Sequence, residues 1–234
     1  MVSAIKIALQ SLLDSILDFI YPPLCIVCGR LLDNGKDHVC RECWDSIQKV
    51  HANLSLYLQT RSKLLLTEVV DDLASLFVFE KEGAFQKIIH SLKYSGVQAL
   101  GIEIGRRLGI NLFEQGIRAD ALVPIPLHKR KLRERGYNQS ELIARGCSLT
   151  MGIPVRTDLV FRGKFTQTQT MFSLEERKKN MENAFVCRSS DVKGKVVILI
   201  DDVITTGSTI ASCAEVLKRA GALRIIAASA ALAE

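Results

Sequence analysis

The sequence has few aromatic side chains and no apolar run long enough to cross a membrane. Aromatic residues make up 6% of its 234 residues, which argues against a row of stacking platforms for single-stranded nucleic acid. The obvious aromatic candidates for such stacking are Tyr137, Phe165 and Phe172. A transmembrane helix needs about 20 consecutive apolar residues, and no segment reaches that length. Internal repeats are absent too, which excludes a repeat architecture.

The amino-terminal segment resembles a signal peptide only superficially, since polar residues such as Lys6 and Asp14 interrupt it. Its apolar residues recur at helical spacing, so we predict an amphipathic helix over residues 1–20. The chain has seven cysteines, and an odd number argues against a framework built only of disulfides. These features indicate a cytoplasmic protein without a membrane span.

The composition is that of a globular, moderately basic protein. Hydrophobic residues make up 48% of the chain, which is enough for the core of one large domain or two unequal ones. The formal net charge is +6 and the pI is about 9.0. This charge is compatible with polyphosphate ligands or nucleic acid and requires neither.

Two closely spaced pairs of cysteines predict a metal site. The pairs are Cys25 with Cys28 and Cys40 with Cys43. Each Cys-x2-Cys pair supplies two thiolates to one tetrahedral metal, and Asn34-Gly35 between the pairs is a hairpin signal. We predict a structural four-cysteine zinc ribbon over residues 21–50, with no coordination position left for catalysis. Metal-free pairs and redox Cys-x2-Cys motifs are the alternatives.

The strongest chemical signal lies in residues 196–210, where an apolar run leads into two acids and a hydroxyl-rich turn. Residues 196–200 predict a buried parallel strand, and residues 210–219 predict a helix. The turn between them contains Thr205, Thr206, Gly207, Ser208 and Thr209. Its hydroxyls, its flexible glycine and the free N–H groups of a helix start suit a phosphate. The alternative is an ordinary strand end with helix-capping residues and two solvated acids.

The two acids, Asp201 and Asp202, precede this turn, where they would repel a bare phosphate. Their position is explained if they bind the hydroxyls of a sugar whose phosphate lies further along the turn. Residues 197–209 resemble the motif of type I phosphoribosyltransferases that binds phosphoribosyl pyrophosphate (PRPP). The resemblance implies that the acids hold the ribose 2′- and 3′-hydroxyls and that the turn holds the 5′-phosphate. We predict an α/β, parallel-sheet type I phosphoribosyltransferase fold over residues 70–234.

A second apolar run, residues 119–126, predicts a core strand that ends near Pro124 and Pro126. Ligands bind beyond the carboxyl ends of strands in α/β sheets. A basic loop follows this strand, and its cations are Lys129, Arg130, Lys131, Arg133 and Arg135. Its position and charge suit a ligand with several phosphates or a nucleic-acid backbone. The alternative is a solvated basic surface.

The remaining patterns complete an alternating α/β order. We predict strands at residues 73–79, 155–161 and 224–230 and helices at 83–94, 97–109 and about 136–149. Residues 162–183 are polar and lack a clear period, which indicates a flexible loop that closes over the ligand. A surface hairpin or a capped helix over residues 173–181 are the alternatives for this segment.

These segments together resemble the ComF family, in which a phosphoribosyltransferase fold follows an amino-terminal zinc ribbon. The most distinctive matching block is residues 123–139, and residues 89–94 with Gly96 match the family's first helical signature. The spaced motif of the family's flexible loop matches at Arg162, Thr166, Gln169, Arg177 and Asn180.

The ComF resemblance implies a part in bacterial DNA uptake and natural transformation. It implies that the protein handles single-stranded DNA with a ComFA-like helicase and the DNA-processing protein DprA. The residues expected to contact pyrophosphate or a nucleic-acid backbone are Lys129, Arg130, Arg133 and Arg135.

Binding without catalysis and phosphoribosyl transfer are the two competing functions. In a transferase, Asp201 and Asp202 would be catalytic, orienting the ribose and stabilising positive charge at C1, with Mg²⁺ bound alongside PRPP. A third interpretation is a scaffold in which the zinc ribbon and the PRPP-type turn are both structural.

Overall fold

A sheet of parallel strands forms the centre of the molecule, for which a computed structural model describes residues 22–33, 37–163 and 185–234. Its strands are β1 (Asp72–Val78), β2 (Ala121–Pro124), β5 (Val196–Ile204) and β6 (Arg224–Leu232). They lie in the order β1-β6-β5-β2, and all neighbours are parallel. A separate antiparallel pair joins β3 (Val160–Arg162) to β4 (Phe185–Cys187). The predicted parallel α/β fold is confirmed.

Helices connect the strands and cover the sheet. They are α1 (Arg41–Asp45), α2 (Ser55–Leu65), α3 (Ala84–Tyr94), α4 (Ala99–Glu114), α5 (Lys129–Arg135), α6 (Gln139–Met151) and α7 (Ser208–Arg219). Across the described ranges, none of the helices is both long and apolar enough to span a membrane. The amphipathic helix predicted for residues 1–20 lies outside the described residues.

Both faces of the sheet are buried, as the near-continuous apolar runs of its strands require. Side chains alternate between the faces along β5. Ile198 and Ile200 belong to the core that includes residues of α3, α4 and α6. Val197 and Leu199 belong to the core that includes residues of α7. The central strand is therefore held between two separate layers of helices.

Strand β5 is longer than the apolar pattern predicts. The pattern ends at residue 200, but the strand continues to Ile204 because β6 pairs with it along its whole length. Asp201 lies opposite Ser229 of β6 in this ladder. Both acids of the motif are thus held on a paired strand, near its carboxyl end.

Two other segments differ from the sequence prediction. The basic segment predicted as a loop forms helix α5, which begins at a His128 cap and ends at the left-handed Gly136 (φ 78°). The strand predicted at residues 155–161 is divided. Val155 makes an isolated parallel bridge to Leu122, and the later residues enter β3, outside the main sheet.

The cysteine-rich segment packs against β1, an edge strand of the sheet. The Trp44 ring stacks on Phe77 at 6.0 Å between centroids, and the Arg107 guanidinium lies 4.2 Å from the Trp44 ring centre. Further along, Val50 N–H donates to Leu76 O, and Val78 N–H donates to Gln48 O. Residues 48–50 therefore cover the edge of the sheet that β1 would otherwise expose.

Helices α4 and α6 approach closely through facing glycines. A Cβ on Gly105 would lie 2.1 Å from Ile143 O, and a Cβ on Gly146 would lie 2.2 Å from Ile102 O. Both obstacles are backbone atoms, so they cannot rotate away. This contact sets the distance of α6 from α4 and therefore the position of the start of α6 beside the sheet.

Gly105→Ala should lower the free energy of unfolding by about 1–3 kcal/mol, because the helices must separate to admit the methyl group. Gly109→Ala is the matched control, since its nearest obstacle is the Thr150 hydroxyl, a side-chain atom. We expect a smaller loss there. Urea denaturation of both variants checks this, and equal stability of Gly105→Ala and the parent chain would contradict the close contact.

Candidate functional site

The four predicted zinc ligands converge. The Sγ atoms of Cys25, Cys28, Cys40 and Cys43 all lie within 4.8 Å of one another. A backbone hairpin forms the first pair, with Cys25 N–H donating to Arg30 O and Gly29 N–H donating to Cys25 O. The second pair spans the start of α1. The turn predicted at residues 34 and 35 lies outside the described residues.

The geometry of this cysteine cluster fits a zinc ion. Zinc binds thiolates at about 2.3 Å, so tetrahedral sulfurs around it are about 3.8 Å apart. The Sγ atoms of Cys28 and Cys40 are 3.8 Å apart. Since all four ligands are sulfur, the site suits a structural ion that ties α1 to the hairpin.

The phosphate-binding turn predicted between β5 and the next helix takes the expected shape. Gly207 has φ 75° and caps α7, a backbone conformation that glycine adopts without strain. The hydroxyls of Thr206 and Ser208 are 3.1 Å apart, and both residues are exposed. A small cavity of about 30 Å³ is lined by residues 203–210 and Asp201. We term it the phosphate cradle.

Helix α2 packs against the loop that forms the cradle. A Cβ on Gly207 would lie 2.7 Å from Leu64 Cδ2, so the loop needs glycine for space as well as for its backbone angle. Tyr57 of the same helix donates its hydroxyl to Leu73 O at 2.8 Å, which fastens α2 to β1. The sequence offers no signal for this support, because residues 44–68 show no clear pattern.

Asp201 is held by the start of α6. Its Oδ1 accepts a hydrogen bond from the Ser140 hydroxyl at 3.0 Å and another from Asp202 N–H at 2.9 Å. Ser140 is positioned by the Asn138 cap, whose amide also donates to Ile125 O beyond β2. The distinctive block of residues 123–139 is thus connected to the acidic pair in space, through the hydrogen bonds of Asn138 and Ser140.

Asp202 is paired with a lysine from α3. Lys93 Nζ lies 2.6 Å from Asp202 Oδ2, with the two side chains 22% and 14% exposed. The other carboxylate oxygen accepts Val203 N–H at 2.7 Å. Lys93 belongs to the helical signature at residues 89–94, but no sequence pattern assigns it a role. The structure adds it to the site as the counter-ion of Asp202.

The surroundings of Asp201 shift its protonation equilibrium. Burial, and then the neighbouring negative charge of Asp202, raise the pKa of Asp201 to about 7. The hydrogen bonds from Asp202 N–H and Ser140 and the charge of Lys93 oppose this rise in the pKa. Near neutral pH the pair therefore carries less than two full negative charges.

The predicted pyrophosphate residues lie in three different surroundings. Lys129 lines a cavity of about 220 Å³ together with Arg162 at the end of β3, so two predicted site cations reach one space. Arg130 and Arg133 lie on the exposed surface of α5, where Arg130 pairs with Glu134 at 2.8 Å. Arg135 instead donates to Gln139 Oε1 at 2.9 Å.

The remaining flexible-loop residues, Thr166, Gln169, Arg177 and Asn180, lie outside the described residues. So do the stacking candidates Phe165 and Phe172. The third candidate, Tyr137, donates its hydroxyl to Leu92 O and is partly buried, so it joins α3 to the segment after α5. Tyr94 is an exposed ring near the site, at 66% exposure.

Two segments match known domain families. Residues 16–54 match the Double zinc ribbon domain, and residues 154–233 match the Phosphoribosyl transferase domain. The chain is 30% identical over 207 residues to the DNA utilization protein YhgH of Escherichia coli (strain K12), covering 86% of this chain and 87% of that protein.

Two competence proteins are also similar. Competence protein F of Haemophilus influenzae is 36% identical over 104 residues, covering 44% of this chain and 45% of that protein. Competence protein ComFC of Bacillus subtilis is 27% identical over 200 residues, covering 85% and 72%. Among solved structures, a glutamine PRPP amidotransferase from B. subtilis aligns with a TM-score of 0.41 at 21% identity, covering 55% of this chain and 25% of that chain.

Asp201→Asn should stabilise the ligand-free chain more at pH 8 than at pH 5. A carboxyl whose pKa is raised from 3.8 to about 7 by folding contributes stability that is complete below pH 3.8. That contribution is lost as the pH rises through about 7. Asparagine cannot ionise, so the variant's advantage should grow by about 2 kcal/mol between the two pH values.

Urea denaturation of both chains at the two pH values measures this difference. Asp45→Asn is the control, because it removes one carboxylate from the exposed surface of α1. An advantage of Asp201→Asn that is the same at both pH values would show that its carboxyl does not titrate in this range.

Proposed function

This chain belongs to the ComF family, and from that premise we propose that it binds a PRPP-like ribose-phosphate ligand and single-stranded DNA during natural transformation. The observation that carries the proposal is the continuous segment of β5, loop and α7. This segment presents two acids and a phosphate cradle at the carboxyl ends of the parallel strands.

The 5′-phosphate of the ligand occupies the cradle in this proposal. The first N–H groups of α7 and the exposed hydroxyls of Thr205, Thr206, Ser208 and Thr209 surround that position. The positive end of the helix dipole favours the anion. The close packing of Gly207 on Leu64 keeps the loop backbone near the ligand.

The ribose hydroxyls then meet the acidic pair. A carboxylate accepts hydrogen bonds from hydroxyl groups, and Asp201 already accepts one from Ser140. Lys93 beside Asp202 reduces the repulsion between these acids and the ligand's phosphates. The acids therefore orient the sugar without preventing the phosphate from binding.

The cavity shared by Lys129 and Arg162 is the proposed position of the pyrophosphate. Its two cations suit an anion with several charges. The rest of the lining is mostly apolar, and its one acid, Glu141, is paired with Arg145. When PRPP binds, Mg²⁺ would supply further charge neutralisation through phosphate and ribose oxygens, its preferred ligands. The chain's own contribution is the two cations, Lys129 and Arg162, beyond the carboxyl end of β2.

Single-stranded DNA is the second proposed ligand, and α5 is its proposed contact. Arg130, Lys131 and Arg133 are exposed on this short helix, and a row of exposed cations suits a phosphate backbone. The DNA utilization and competence names of the relatives support this assignment. The ComFA-like helicase, DprA and the cytoplasmic location are proposed from the family alone.

Phosphoribosyl transfer is a second candidate function, favoured by the presence of both acids beside the cradle. In such a reaction the bond from ribose C1 to pyrophosphate breaks, and an acceptor nucleophile forms the new bond to C1. Positive charge develops at C1 as pyrophosphate leaves, and nearby carboxylates stabilise it. Lys129 and Arg162 would stabilise the departing pyrophosphate.

Changing both Asp201 and Asp202 to Asn should weaken PRPP binding by about 100-fold or more, because two charge-assisted hydrogen bonds are lost. Calorimetric titration with PRPP and Mg²⁺ measures the affinity. Asp45→Asn removes an acid far along the chain and should bind as the parent does. Unchanged affinity in a folded double variant would contradict the role of the acids.

Changing Arg130, Lys131 and Arg133 to Ala should weaken single-stranded DNA binding and flatten its salt dependence. Each lost phosphate contact reduces the slope of log K against log salt by about 0.7. Fluorescence anisotropy across a salt series measures this slope.

The matched control changes Lys193, Arg219 and Arg224 to Ala. These residues lie near the amino ends of β5 and β6 or at the carboxyl end of α7. The candidate site lies at the other end of the strands. A slope that falls equally in both triple variants would remove α5 from the proposed contact.

A further inference from the structure

The zinc ribbon and helix α3 share one hydrophobic core. Trp44, which follows the ligand Cys43, belongs to this core together with Phe85 and Leu92 of α3. The Trp44 ring stacks on Phe77 of β1, and the Phe77 ring centre lies 5.3 Å from that of Phe85. The second pair of zinc ligands is therefore connected to the amino-terminal part of α3 through three neighbouring aromatic rings.

The first pair of zinc ligands contacts the same helix through a lysine. Lys87 Nζ donates a hydrogen bond to Val27 O at 3.0 Å, and Val27 lies between the ligands Cys25 and Cys28 in the chain. The Val27 side chain also packs against the shared core. Both pairs of ligands thus reach α3, and they do so by separate contacts.

The carboxyl end of α3 is attached to the candidate site. Lys93 Nζ lies 2.6 Å from Asp202 Oδ2, and the Tyr137 hydroxyl donates to Leu92 O. An α-helix rises about 1.5 Å per residue, so Lys87 and Lys93 are about 9 Å apart along the axis. One short, rigid element therefore contacts the ribbon near its amino end and the acidic pair near its carboxyl end.

The ribbon has a folding equilibrium of its own that can act on this helix. A small metal-binding module has too little core to fold alone, so binding of its metal supplies folding free energy. Cys40 N–H donates to Cys25 Sγ at 3.3 Å, so a ligand sulfur also joins the two pairs to each other. Loss of the ion would loosen both pairs, and with them Val27 and Trp44, the residues that reach α3.

We propose that the metal-loaded ribbon holds α3 in the position that pairs Lys93 with Asp202, so that zinc binding and ribose-phosphate binding strengthen each other. If α3 shifts, the Lys93 charge leaves Asp202, and the acids repel the phosphates of the ligand more strongly. A chain without zinc then binds the ligand weakly although its acids and phosphate cradle are intact. The ligand in this inference rests on the proposed function, whereas the contacts of α3 do not.

The first experiment measures amide hydrogen exchange in the zinc-loaded chain and in the same chain treated with EDTA. Amides of α3 should exchange several-fold faster after chelation, because the ribbon no longer holds the helix. Helix α7 is the internal control, since its buried residues belong to the other core, and its exchange should not change. Unchanged exchange of α3 would contradict the proposal. If chelation unfolds the whole chain, the variants below decide in the zinc-loaded state.

The second experiment uses Lys87→Met, which keeps the aliphatic stem and removes the donor to Val27. The zinc-loaded variant should bind PRPP with Mg²⁺ about 3- to 10-fold more weakly than the parent, as expected for the loss of one hydrogen bond from a charged group. Lys81→Met is the matched control, because Lys81 is an exposed lysine just before α3. It should bind as the parent does. Equal affinities of Lys87→Met and the parent would contradict the proposal.

A double-mutant cycle with Lys93 separates this route from a general loss of stability. In a chain that already carries Lys93→Met, Lys87→Met should cause no further loss of PRPP affinity, because its effect passes through Lys93. If the two losses multiply instead, Lys87 acts on the ligand by another route and the proposed one is wrong.

The third experiment tests reciprocity, which linkage requires of two coupled binding sites. Competition with a chromophoric chelator gives the zinc affinity with and without PRPP and Mg²⁺. PRPP should raise it about 5-fold or more, by the same factor by which zinc raises PRPP affinity. The variant with both Asp201 and Asp202 changed to Asn corrects for zinc bound by PRPP itself and should show no rise. A parent chain whose zinc affinity ignores PRPP would contradict the coupling.

The outcomes for this inference and for the proposed function are distinguishable. A zinc-loaded parent chain that binds no PRPP contradicts the proposed ribose-phosphate ligand, and the exchange experiment then still decides whether the ribbon holds α3. If PRPP binds equally well to the zinc-loaded and the chelated chain, the proposed ligand stands and only the coupling through α3 fails.

Discussion

The central position of β5 is the constraint on which the candidate site depends. Strands β6 and β2 pair with β5 from its two sides, and both of its faces are buried, so a shift in register would expose one core or the other. This pairing fixes Asp201 and Asp202 near its carboxyl end and delivers the chain into α7 at Gly207. The acids and the phosphate cradle therefore come from one continuous segment. Segments distant in sequence supply Lys93 and Ser140, which contact the acids, and Leu64, which packs against the loop.

Charge balance is the main difficulty of the proposed ribose-phosphate site, because two carboxylates lie beside the phosphate cradle. The fold meets it differently for each acid. Lys93 pairs with Asp202 at 2.6 Å, whereas Asp201 accepts a hydrogen bond from Ser140 and has a pKa raised to about 7 by burial and by Asp202. A phosphate entering near neutral pH thus meets a partly neutralised pair that still offers acceptors to a sugar.

Local features of the site could be predicted from sequence, and contacts between distant segments could not. The four cysteines and the segment around Asp201 carry their chemistry within short spacings, so strand, turn and helix signals placed them correctly. Lys93, Leu64 and Ser140 join the site only through the folded sheet, and no local pattern marks that contact. Helix α5 was missed because its residues are almost all charged and give no apolar period.

The position of an aromatic ring matters more than the number of rings. An aromatic content of 6% argues against an extended stacking surface, and Tyr137 is occupied in a structural hydrogen bond. Tyr94, however, stands where α5, α3 and the acidic pair meet, under the guanidinium of Arg135. In the proposed arrangement, DNA along α5 and a ribose-phosphate in the cradle both lie beyond the carboxyl ends of the parallel strands, because α5 follows β2 and the cradle follows β5.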